Sequence, residues 1–79
     1  MTLYEFISLD DSLQYDLVWQ LGKYMETVEA KGKIYLLYAI DKFFVEITYD
    51  QVTNHILGKN HFEHGEHLDK YLPAINNQI

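Results

Sequence analysis

Residues 33–50, KIYLLYAIDKFFVEITYD, read as a β-hairpin closed by a two-residue turn at Asp41-Lys42, and that reading decides which side chains share a face. Antiparallel pairing sets Ile40 opposite Phe43, Tyr38 opposite Val45, Leu36 opposite Ile47 and Ile34 opposite Tyr49 on one side. Every member of that face is apolar or aromatic. The other side carries Ala39 with Phe44, Leu37 with Glu46, Tyr35 with Thr48, and the ionic pair Lys33 with Asp50. A slip by one residue would exchange the two faces, so the apolar pattern specifies the register.

Working towards the N-terminus, residues 24–30 alternate loosely and end at Lys31-Gly32. A three-residue loop with Gly32 in the left-handed region would pair Val28 with Ile34 and Tyr24 with Tyr38, and would place Glu26 opposite Leu36. A two-residue loop would instead put Met25, Thr27 and Glu29 on the apolar face. The three-residue loop is the preferred reading. Further upstream, Thr2 is placed to cap a short turn from Leu3 to Ile7, and Asp10, Asp11 or Ser12 to cap a helix running to about Leu21, with Gly22 ending it. On that helix Leu13, Leu17, Val18 and Leu21 form one stripe, with Tyr15 and Trp19 towards the opposite side. The aromatic pair is expected to cover flanking segments such as the first turn at Phe6.

Working towards the C-terminus, residues 51–54 are turn formers, and residues 55–62 supply a fourth, more polar edge strand. A four-residue loop would place Ile56, Gly58 and Phe62 on the apolar face, with Gly58 opposite Ile47 marking a bulge or a close approach. Leu68, Tyr71 and Leu72 then recur at helical spacing before Pro73, and the tail 74–79 is expected to be loose. The expected fold is one α+β domain over residues 1–79: a four-stranded antiparallel meander with an N-terminal helix and a short C-terminal helix packed on one face.

That arrangement leaves the second sheet face to be explained. It would show Tyr35, Leu37, Phe44 and Leu57 among Glu46, Thr48, Lys59 and His55, more apolar than a solvated face needs. Either it meets a partner or a terminal segment folds over it.

Composition narrows the function classes. The chain has 79 residues, with twelve acidic residues against six lysines, no arginine, and a formal charge of −6. Such a surface repels phosphate backbones, and the absence of arginine removes the side chain best suited to gripping phosphate, so nucleic-acid and nucleotide binding are disfavoured. The longest uncharged apolar run, Ile34 to Ile40, spans seven residues, against the roughly 20 that a membrane-spanning helix requires. No basic leader opens the sequence and there is no cysteine, which together point to the cytoplasm. A chain this short buries only about 60% of its unfolded surface, and with disulfides excluded, self-association is an expected aid to stability.

Candidate chemistry is sparse. His61, His64 and His67, with Glu63 and Glu66 between them, are suitable donors for zinc or nickel. Gly65 interrupts any helical face there, and beyond lone His55 there is no second half-site, so a solvated connection is the expected reading and no cofactor is assigned. Asp10 and Asp11 are helix-start residues rather than an acid and base couple. Glu46 stands mid-strand on the second face. If covered it would serve a pocket, and the alternation favours a solvated residue. There is no cysteine nucleophile, nucleophile elbow or phosphate loop, and Ser8 and Ser12 sit at cap positions, so no enzyme is expected.

The resulting expectation is a small acidic cytosolic protein–protein interaction module, a homodimer through its aromatic sheet face or a sheet edge, with Tyr35, Leu37, Phe44, Glu46 and Leu57 as partner-binding residues. One alternative is a small-ligand or metal-binding accessory protein using Tyr35, Glu46 and Thr48 or the histidine cluster. Another is an acidic inhibitor, immunity or antitoxin-like protein that neutralises a basic partner.

Overall fold

The capping chemistry of the first ten residues sets up two helices. In the computed structural model, which describes residues 1–63 and Tyr71, α1 spans Leu3–Ile7 and α2 spans Asp11–Leu21. Thr2 and Glu5 form a reciprocal capping box on α1, and the Asp10 carboxylate accepts from the Leu13 amide at 2.9 Å on α2. Gln14 ties the two together, its side-chain amide donating to the carbonyls of Phe6 at 3.2 Å and Leu9 at 3.0 Å. Gly22 ends α2 in extended backbone, not in a left-handed cap. A Cβ there would lie 2.5 Å from the Val18 carbonyl oxygen and 3.3 Å from the Cβ of Tyr38, so close approach selects the glycine.

Four strands follow as a simple meander in the order β1-β2-β3-β4: β1 Lys23–Ala30, β2 Lys33–Ile40, β3 Phe43–Asp50 and β4 Ile56–Phe62. With the helices ahead of one open antiparallel sheet, the architecture is α+β, as the sequence leads one to expect. The β2–β3 hairpin has the expected register from Lys33↔Asp50 to Ile40↔Phe43 throughout.

The outer pairings differ from the expected ones, through the loop length at β1 and a bulge at β4. The β1–β2 loop has two residues, Lys31 and Gly32, both at positive φ (54° and 78°), the backbone whose twist suits a tight hairpin. Glu29 therefore pairs with Ile34, Val28 with Tyr35 and Glu26 with Leu37, and the expected Val28–Ile34 and Glu26–Leu36 pairs do not form. An irregularity between Tyr24 and Glu26, at Met25, then restores the expected Tyr24↔Tyr38 pair.

The four-residue loop of residues 51–54 is present, with the Asp50 carboxylate accepting from the amides of Val52 and Thr53. Tyr49 pairs with Ile56, but an extra residue at Leu57 then sets Gly58 opposite Thr48, Lys59 opposite Ile47 and Phe62 opposite Phe44. Gly58 and Phe62 thus leave the first face, where they were expected, and Lys59 and His61 take it. The physical reason is room. Phe6 and Phe43 already fill the near end of that face, their rings 5.4 Å apart, whereas on the other face Phe62 stacks on Phe44 at 5.7 Å. Among the described residues, apart from its chain neighbours, no heavy atom lies within 4 Å of a Cβ built on Gly58, so no described helix approaches it.

The first face holds the main core: Phe6 and Val18 from the helices against Ile40, Phe43, Val45 and Ile47, with Leu3, Tyr15, Leu17, Tyr38 and Tyr49 packed around them. The expected α2 stripe is rotated. Val18, Leu17 and Tyr15 turn inward, while Leu13 and Leu21 stand half exposed. Tyr15 is drawn in because its ring supports the Lys59 ammonium, 4.3 Å from the centroid, while that ammonium also pairs with Asp11.

Candidate functional site

The second face is not bare. Leu37, Phe62 and Tyr71 form a second buried cluster, flanked by Val28, Tyr35 and Phe44. Tyr71 is fully buried, and its hydroxyl donates to Glu46 Oε2 at 2.8 Å. Glu46 is only 1% exposed, which overturns the expectation of a solvated strand carboxyl. Alternation alone could not foresee this, because the covering residue lies 25 positions further along the chain. Burial first, and then the bond to Glu46, pushes the Tyr71 phenol far above its ordinary range. Tyr71 is the one described residue of the expected C-terminal helix. The remainder of that helix and the tail 74–79 lie outside the described residues.

Of the five residues expected to meet a partner, Leu37 and Glu46 are therefore closed off, Tyr35 and Phe44 are half buried beside Tyr71, and Leu57 is exposed at the β4 bulge. The structure brings the first four together as a covered cluster and leaves Leu57 apart. Within the histidine group, His61 lies on the first face, its ring 6.5 Å edge-on from that of Phe6. His64 and His67 lie outside the described residues, and His55 is exposed beside the β3–β4 loop. Among the described residues no three metal-ligating side chains gather.

The exposed aromatic surface lies elsewhere, at the corner where α2 runs into β1. Trp19 stacks on Tyr15 at 6.4 Å and meets Tyr38 edge-on at 5.9 Å, and Tyr38 in turn meets Tyr24 at 5.9 Å. Burial raises the Tyr38 and Tyr15 phenols above their ordinary value. Trp19 remains 47% exposed and Tyr24 53%. The Tyr24 hydroxyl is held by Thr27. Two local signals could have pointed to this corner: the legible Tyr24↔Tyr38 register, and the position of Trp19 one turn before the helix end. The join was hidden because it depends on how α2 is rotated.

A cleft of about 650 Å³ opens beside the β2–β3 turn, between Leu3, Phe43 and Lys42, with Glu63 on its rim. Its acid Asp41 is engaged by the Met1 amino group. The edges of the sheet also bear on recognition. Both carry a bulge, at Met25 and at Leu57, which interrupts the flat ladder that edge-to-edge pairing needs.

No family model, curated protein or solved structure matches this chain. What it does must follow from its own surfaces. No helix among the described residues is long and apolar enough to cross a membrane.

Proposed function

We propose that this protein is a small cytosolic protein–protein interaction module whose contact surface is the aromatic corner of Trp19, Tyr38 and Tyr24. The observation that carries the proposal is the continuous ring-to-ring contact that leaves Trp19 and Tyr24 each about half exposed. Aromatic side chains held rigid by one another bring large contact area at low entropic cost, the property of binding hot spots. The bulged edges favour contact through side chains over strand addition, and the buried Tyr71–Glu46 pair moves the surface away from the second face.

Trp19 is the single tryptophan, so its emission reads the corner directly. Trp19→Ser should cost no more than about 2 kcal/mol of stability, roughly half of what a buried aromatic loses, while abolishing association. A loss above about 3 kcal/mol would assign the corner to the support of the fold instead. Self-association is the first form to test, by light scattering across a wide concentration range with Trp19 emission read in parallel.

The cleft beside Leu3 and Phe43 supports a second reading, a small-ligand accessory protein, since it joins an apolar floor to the charges of Lys42 and Glu63. Thermal stabilisation by a metabolite panel that Phe43→Leu or Lys42→Ala removes would favour it.

A further inference from the structure

We infer that the aromatic corner receives a basic segment of another protein, one that lays a Lys or Arg side chain across Trp19 beside Asp16 and packs apolar residues against Tyr24. The inference rests on the corner being a docking surface, as proposed above, and adds the chemistry of what docks.

Charge points to a cationic partner. Residues 1–22, which hold both described helices, carry Glu5, Asp10, Asp11 and Asp16 and no Lys or Arg. Three of these acids are already used. Glu5 closes the capping box with Thr2, Asp10 caps α2, and Asp11 pairs with Lys59. Asp16 is exposed and makes no hydrogen bond or ion pair with any described residue. Lys23, the first lysine of the chain, opens β1 and is not paired with it. This segment thus ends in an uncompensated carboxylate three residues from the exposed indole, a spacing that makes the two neighbours on one helix surface.

The fold itself displays the contact that such a cation would make. Lys59 sits 4.3 Å over the Tyr15 ring and is clasped by Asp11, four residues earlier on the same helix. Trp19 stacks on Tyr15 with an interplanar angle of 25°, so the shelf that carries Lys59 continues to an indole and a carboxylate on which no cation of the described residues sits. Indole is the better cation acceptor of the two rings. A second copy of this chain is a poorer fit, since each brings a formal charge of −6.

The test uses the full chain and three synthetic peptides of equal length, alternating leucine with lysine, glutamate or serine, followed through Trp19 emission and calorimetry. The lysine peptide should bind with a blue shift of Trp19 and weaken steeply as salt rises, and the other two should bind far less. Asp16→Asn and Trp19→Ala should each weaken it by roughly five-fold, and Leu13→Ala should not. Equal binding of all three peptides would overturn the basic-partner inference while leaving the corner a docking surface. So would a chelator-insensitive homodimer that buries Trp19 and excludes the lysine peptide. Lysine-peptide binding unchanged in both Asp16→Asn and Trp19→Ala would place the contact elsewhere on the acidic surface and would also overturn it.

Discussion

Tyr71→Phe isolates one hydroxyl where, among the described residues, one remote in sequence closes the second sheet face. The hydroxyl donates to Glu46 Oε2 at 2.8 Å, with both side chains buried. A buried hydrogen bond to an acidic group contributes about 1.5 to 3 kcal/mol, so the phenylalanine variant should lose about 2 kcal/mol. For a chain of this length the whole stability is on the order of 4 to 12 kcal/mol, so the loss should lower Tm by roughly 10 °C. Tyr71→Ala also removes the ring from the Leu37–Phe62 cluster and should cost about 4 kcal/mol, with increased binding of a hydrophobic dye. Urea unfolding followed by circular dichroism gives both numbers, and Trp19, on the far face, reports whether the main core unfolds in the same transition. An unchanged slope on denaturant would show that the native fold persists in the phenylalanine variant. A double-mutant cycle with Glu46→Gln should return a coupling of about 1 kcal/mol or more. Tyr71→Phe within about 0.5 kcal/mol of the parent would refute the claim that this contact seals the face.

Three further outcomes follow from the same geometry. Because the folded Tyr71 phenol is raised above its ordinary value of 10.0, its contribution is whole below about pH 10 and is lost as pH climbs beyond that. Alkaline unfolding monitored by tyrosinate absorbance should therefore lose its steepest component in Tyr71→Phe. At the β1–β2 turn, Lys31 holds φ 54° and Gly32 φ 78°, so Lys31→Asn should stabilise by about 0.5 kcal/mol and Gly32→Ala destabilise by about 1 kcal/mol in thermal melts. Gly22→Ala, despite an ordinary φ of −70°, should cost about 2 kcal/mol because its methyl meets the Val18 carbonyl oxygen, and a neutral result would remove close approach as the reason for glycine there.

The central hairpin was legible because its information is local and redundant. Four apolar pairs agree on one register, a two-residue turn closes it, and a slip would expose all of them at once. Helix starts were equally local, a cap side chain and the amides three residues on. The outer strands were less legible because the length of the β1–β2 loop sets the pairing of β1 and an extra residue sets that of β4, and either exchanges the faces of everything beyond it without changing composition. What selects the bulge at Leu57 is the vacancy opposite Phe44, which no pattern within residues 55–62 records.

The candidate site failed to be read for the same reason at a larger scale. Tyr35, Leu37, Phe44 and Glu46 were correctly grouped on one face, and grouping alone cannot say whether water, a partner or Tyr71 lies over them. Once Tyr71 is there, the proposed recognition must use surfaces that the fold leaves open. Of the exposed aromatics, only Trp19 and Tyr24 are joined through a shared neighbour, Tyr38, whereas Tyr4 stands alone among the described ring contacts. Mutual contact is what separates a preorganised surface from a scattered one, since rings already immobilised lose little further freedom on binding. The α2–β1 corner is therefore where truncation of a single side chain should separate binding from folding.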